Sequence, residues 1–194
     1  MSRGRRALAV LVAVLVAVVC TVAAWAPVAW AQPSSDWNRL VDGVVVLFRH
    51  ANAPGTGDPP NFKLDDCSTQ RNLDEAGRAQ ARRIGEQFRA HGVTVGAVLT
   101  SQWCRAQDTA ELAFPGQRRD EPAFNSFFGR PDQRERQIRE ATALILRWRG
   151  PGVMVVTTHQ VNVTALARID PVSGEGVIVR GTPNGIDVLG RLSP

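Results

Sequence analysis

An α/β fold, a three-layer sandwich with a mostly parallel sheet and helices on both faces, is predicted by three observations. Short apolar runs at residues 44–48, 95–100 and 153–158 are too short for helices and are bounded by glycine or turn residues, as buried strands are. Between them lie stretches with apolar residues at helical spacing. The order strand, helix, strand, helix, helix, strand is the alternation that builds parallel sheets through right-handed crossovers. Such crossovers bring the carboxyl ends of the three strands to one edge, which is where ligands of open α/β sheets bind.

The first residues stand apart from that fold. Arg3, Arg5 and Arg6 precede an acid-free apolar run, and Ala29-Trp30-Ala31 supplies small residues where a signal peptidase reads. Residues 1–31 are therefore expected to be a signal peptide, and residues 32–194 one catalytic domain. An uncleaved anchor is the alternative, since the apolar run approaches spanning length. After cleavage no stable membrane span is expected, and the protein should be exported, periplasmic or secreted. The full chain of 194 residues carries 23 Lys and Arg against 18 Asp and Glu; without Arg3, Arg5 and Arg6 the balance is 20 against 18, a net of +2. No basic stripe with interleaved aromatics remains, so nucleic acid is not an expected partner.

The first strand, Val44 to Phe48, delivers Arg49 and His50 and then breaks at Ala51, Asn52, Ala53, Pro54 and Gly55. Residues 52–72 are too long for an ordinary connector and are expected to wall a binding site. Asp74 should cap a helix whose apolar face carries Leu73, Gly77, Ala81, Ile84 and Phe88, and Gly92 should stop it. The strand at 95–100 leads to Ser101, expected to cap a helix over 102–113 with Arg105 in its opening turn. Residues 114–133 show no period; a helix follows at 134–149, with Ile138, Ala141, Ile145 and Trp148 inward. The strand at 153–158 delivers His159, and the tail gives a short helix and edge strands near 176–180 and 186–191. Cys67 and Cys104 are candidates for a disulfide pinning the 52–72 loop, because export permits pairing. Two cysteines without a CxxC spacing do not suggest zinc.

Arg49, His50, Arg105 and His159 thus converge on one edge, and phosphate is the group they suit. Arginine offers a planar fork of donors, and a neutral imidazole attacks phosphorus. No metal or cofactor is expected, since these side chains compensate phosphate charge themselves. Asn52 and Gln160, next to the two histidines, are candidate substrate-binding residues.

The ordered set Arg49-His50, LDEAGRAQARRIGEQF (73–88), VLTSQWCRAQDTAELAF (98–114) and VVTTHQ (155–160) resembles the histidine phosphatase superfamily, the phosphoglycerate-mutase-like group. The resemblance implies that His50 is the nucleophile and becomes phosphorylated, that Arg49 and Arg105 bind phosphoryl oxygens, and that His159 stabilises the transferring group. Ala51 stands where the family's motif has glycine. The family's general acid, a Glu, falls on Asn125, and an amide cannot protonate a leaving alkoxide. Glu121 is then the expected substitute, with Asp120 beside it, unless the leaving group needs little help. With export and small size, the layout resembles the small bacterial envelope phosphatases of this family, which implies a small phosphorylated substrate of sugar-phosphate or envelope-glycan type. A phosphohistidine or phosphoprotein phosphatase and a phosphate-binding non-enzyme are the alternatives.

Overall fold

The computed structural model describes residues 36–193, so the leader read in residues 1–31 lies outside the described residues. Six strands form one sheet: β1 (Val44–Arg49), β2 (Val95–Thr100), β3 (Arg118–Asp120), β4 (Val153–Thr158), β5 (Gly176–Thr182) and β6 (Gly185–Leu192). Their order is β3-β2-β4-β1-β5-β6. The first four run parallel, and β5 and β6 close one side antiparallel. Four α-helices of the described residues accompany them: α1 (Glu75–Ala90), α2 (Cys104–Ala113), α3 (Pro131–Arg147) and α4 (Gln160–Ala167).

Alternation along β1 explains the three layers. Val44, Val46 and Phe48 pack with Ile84 and Phe88 of α1 and Ala110 and Ala113 of α2. Val45 and Leu47 face the other way, onto Ala141 and Ile145 of α3 and Val163 and Ala167 of α4. A strand so placed must be apolar on both faces, and all five of these residues are at most 1% exposed. Among the described residues no helix is long and apolar enough to cross a membrane.

The Asp74 side chain caps α1 by accepting from the Gly77 N–H at 2.7 Å. Gly77 itself has a second role. A Cβ added there would sit 2.0 Å from the Asn52 carbonyl oxygen, so α1 lies against the segment just after β1 only because this residue has no side chain. Gly77→Ala is expected to destabilise the fold by about 1–3 kcal/mol through overpacking, read as a lower denaturation midpoint at unchanged m-value.

Several local expectations change. The strand β3 was not predicted: Arg118 to Asp120 is a short polar edge with no alternation to betray it. Helix α3 begins at Pro131, earlier than expected, because proline at the first helical position loses no hydrogen bond. Ser101 is not the N-cap of α2; that place is taken by Trp103, whose N–H donates to the Ser101 Oγ at 3.2 Å.

Candidate active site

The carboxyl ends of β1, β2 and β4 open into a cavity of about 380 Å³ lined by Arg49, His50, Arg105, His159 and Gln160. Asp58, Arg71 and Trp103 line it too. His50 follows β1, and His159 is the N-cap of α4. Arg105 sits on the first turn of α2, directly after the disulfide-bonded Cys104.

His50 is 3% exposed, and its Nδ1 lies 2.8 Å from the Ala51 carbonyl oxygen. A carbonyl only accepts, so Nδ1 holds the proton and Nε2 keeps its lone pair. Burial, with Arg105, Arg71 and Arg49 nearby, pushes the His50 pKa down to about 3 against the opposing bond to Ala51. The same forces, burial first and then His50 and the arginines, hold His159 well below its ordinary value. The two rings meet edge to face, their centroids 5.5 Å apart. Both imidazoles are therefore neutral at neutral pH.

The arginines are held by neighbouring acceptors. Arg49 donates from Nη1 to the Pro171 carbonyl at 3.0 Å. Arg105 donates from Nη1 and Nη2 to the Asp58 carboxylate at 2.7 and 3.1 Å, and from Nη1 to the Arg71 carbonyl at 3.3 Å. The Nε–H groups of Arg49 and Arg105 are buried without a partner among the described residues. Both guanidinium groups belong to side chains that line the cavity, so their positive charge favours an oxyanion there.

Asp58 and Arg71 were not singled out in the sequence, although the loop carrying them was. Asp58 also accepts from the Trp103 Nε1 at 3.0 Å and the Arg71 N–H at 3.1 Å. Burial raises its pKa, but these donors outweigh burial and leave it below the usual carboxylate range. Asp58 is thus an anion that orients Arg105. Arg71 donates from Nε to the Gly57 carbonyl at 2.8 Å and from Nη1 to the Ala53 carbonyl, so it folds the loop onto the site. A readable signal existed: Arg71 lies three residues before the Asp74 cap, at a point the helix start fixes in space.

Cys67 and Cys104 are joined by a disulfide with a Cα–Cα distance of 5.7 Å, across a separation of 37 residues. The bridge ties the loop to the residue before Arg105. Replacing both cysteines by serine is expected to cost about 2–4 kcal/mol, seen as a lower midpoint in denaturant than that of the oxidised parent.

Other expected residues fall elsewhere. Glu121 does not line the cavity, because its carboxylate accepts from the Ala123 N–H at 3.1 Å and caps a single 3-10 turn. Asp120 is held at the surface by Gln107 and Arg118. Asn125 is buried behind the wall, its Oδ1 2.8 Å from the Gln102 N–H. Asn52 is also turned away, its amide donating to Asp74 at 2.9 Å and its N–H to Gln80 at 3.0 Å. Gln160 does reach the cavity, tethered from Nε2 to Asp170.

A family profile described as the histidine phosphatase superfamily (branch 1) matches residues 45–149. The chain belongs to this superfamily. The fold is shared with the product of open reading frame Rv3214 from Mycobacterium tuberculosis at a TM-score of 0.58 and 16% identity, over 77% of this chain and 97% of that one. The protein histidine phosphatase SixA, solved with tungstate, gives 0.56 and 17%, over 78% and 97%. A phosphoglycerate mutase from Thermus thermophilus gives 0.50 and 22%, over 78% and 99%. Among curated protein sequences none matches significantly. In this superfamily member Ala51 follows Arg49 and His50, an alanine that is fully buried and donates its N–H to the Thr109 Oγ1 at 3.0 Å.

Proposed function

We propose that this protein is an exported phosphatase that hydrolyses a small phosphomonoester, of sugar-phosphate or envelope-glycan type, through a phosphohistidine on His50. The observation that carries the reading is the free Nε2 lone pair of a neutral His50 in a cavity lined also by Arg49, Arg71 and Arg105. Arg49, Arg71 and Arg105 would neutralise the phosphoryl oxygens and orient the phosphorus toward Nε2. As the N–P bond forms, the bond from phosphorus to the leaving oxygen breaks, and that oxygen leaves with the electron pair. The His50 Nδ1–H stays on the Ala51 carbonyl throughout. Water then attacks the phosphohistidine, releasing inorganic phosphate and restoring Nε2.

Cavity size supports a small substrate, since a volume of about 380 Å³ lies at the lower end of ordinary ligand sites. Export is supported by the basic, then apolar, then small-residue pattern of the leader and by a disulfide, a bond favoured outside the reducing cytoplasm. The test is hydrolysis across a panel of phosphosugars, phosphoproteins and an aryl phosphate, in which a phosphate-binding module would turn over none. With four arginines lining the cavity, Arg49, Arg71, Arg105 and Arg130, turnover is expected to persist in excess chelator. Loss of activity there, with recovery on adding a divalent ion, would mean that a metal completes the site.

A further inference from the structure

Behind His159 lies a buried polar chain that the phosphatase chemistry leaves unused. His159 is 4% exposed, and its Nε2 lies 2.8 Å from the Oγ of Ser101, which is 0% exposed. The same hydroxyl accepts from the Trp103 N–H at 3.2 Å and stands 3.4 Å from the Asn125 Oδ1. The Asn125 amide has one orientation: its Oδ1 accepts from the Gln102 N–H at 2.8 Å, and its Nδ2 donates to the Gln102 Oε1 at 2.9 Å. Only an acceptor therefore faces Ser101 from that side.

Resting on the phosphatase reading above, we propose that Ser101, with Asn125 behind it, is a positioning residue that fixes His159 as the Nδ1–H tautomer and so presents a donor to the transferring phosphoryl group. The serine hydroxyl has a single hydrogen, which can go to a bare His159 Nε2 or, where Nε2–H donates to the Oγ instead, to the Asn125 Oδ1. His159 Nε2 at 2.8 Å lies at the ordinary distance for such a bond, whereas the Asn125 Oδ1 at 3.4 Å lies beyond it. The first arrangement gives the hydroxyl hydrogen the short bond and puts the imidazole's own proton on Nδ1, which has no partner among the described residues. The reverse arrangement would aim a lone pair at a phosphate dianion. Because burial keeps His159 uncharged, its tautomer decides whether it attracts or repels the substrate. Asn125 thus gains a use where a general acid was expected: it holds the wall behind Ser101 and offers the hydroxyl only the weaker acceptor.

The direct test is the nitrogen NMR spectrum of the histidines in the full-length labelled protein, with His159 assigned by its loss in His159→Gln. Nδ1 protonated and Nε2 bare is the expected result; protonation on Nε2 in the parent overturns the proposal without any substitution at Ser101. In Ser101→Ala the tautomers should mix, and kcat on p-nitrophenyl phosphate should fall about tenfold with KM within about twofold, as for a lost buried hydrogen bond felt mainly in the transition state. Ser101→Thr, which keeps the hydroxyl, should restore both readouts. An unchanged tautomer and unchanged kcat in Ser101→Ala would refute the assignment. A parent that neither turns over nor forms a phosphohistidine removes the phosphatase reading instead, while the spectrum still decides the tautomer.

Discussion

His50→Ala is expected to lose turnover by roughly 10⁴- to 10⁶-fold, the scale on which removing a covalent nucleophile acts. The parent, quenched during turnover of a phosphate-labelled aryl ester, should carry a label that survives alkali and vanishes in acid, as a phosphohistidine does. His50→Ala should carry none. A label stable in acid, or full activity without His50, would refute the mechanism. The pH dependence sharpens the test. With a folded pKa of about 3 against an ordinary 6.5, His50 stays unprotonated as pH falls from 7 to 5, so the labelled fraction should hold across that range. The opposite sign applies to stability. Between those two pKa values the unfolded chain binds a proton that folded His50 does not, so this contribution is present above about pH 6.5 and is lost as pH falls toward 3. The slope from one such histidine is about 1.4 kcal/mol per pH unit at most, and His159 acts in the same direction. Thermal unfolding midpoints should therefore already decline between pH 6 and 5, above the range where carboxylates titrate.

The parts legible in the sequence were those with strong local causes. Five apolar residues at Val44 to Phe48 can only be a strand covered on both sides, and the breaker cluster after His50 marks where it leaves the sheet. Periodicity located α1 and α3 because each has one buried face. Arg49, His50, Arg105 and His159 come together because parallel crossovers bring strand ends to one edge, and that requires topology alone. What stayed hidden depends on long-range pairing inside irregular backbone. Nothing near Asp58 in the chain announces a bond to Arg105, 47 residues away, and nothing near Glu121 shows that its carboxylate is spent on the Ala123 N–H. Ser101 looked like a helix cap because a hydroxyl at a strand end usually is one. In the folded chain that oxygen is within reach of His159, and the capping position moves to Trp103.

Aryl phosphates are expected to be hydrolysed about 10²- to 10⁴-fold faster than alkyl phosphates, the range over which general acid catalysis ordinarily contributes. A phenolate leaves without a proton, whereas an alkoxide needs one as the bond to phosphorus breaks. Among the described residues Asp58 is the carboxylate that lines the cavity, and it is a poor proton source. Two guanidinium bonds, the Trp103 N–H and the Arg71 N–H stabilise its ionised form, so it reaches neutral pH without a proton to give. Glu121 and Asp120 are engaged outside the cavity, so Glu121→Gln and Asp120→Asn should leave both ester classes unchanged. Asp58→Asn should behave differently from an acid knockout. Loss of its charge frees the Nη edge of Arg105, so KM should change for aryl and alkyl esters alike, with their rate ratio preserved. A selective collapse of alkyl turnover in Asp58→Asn would instead show that Asp58 picks up a proton once phosphate has taken Arg105 from it. Equal parent rates on both ester classes, insensitive to Asp58, Asp120 and Glu121, would place the proton donor on a group outside these three carboxylates.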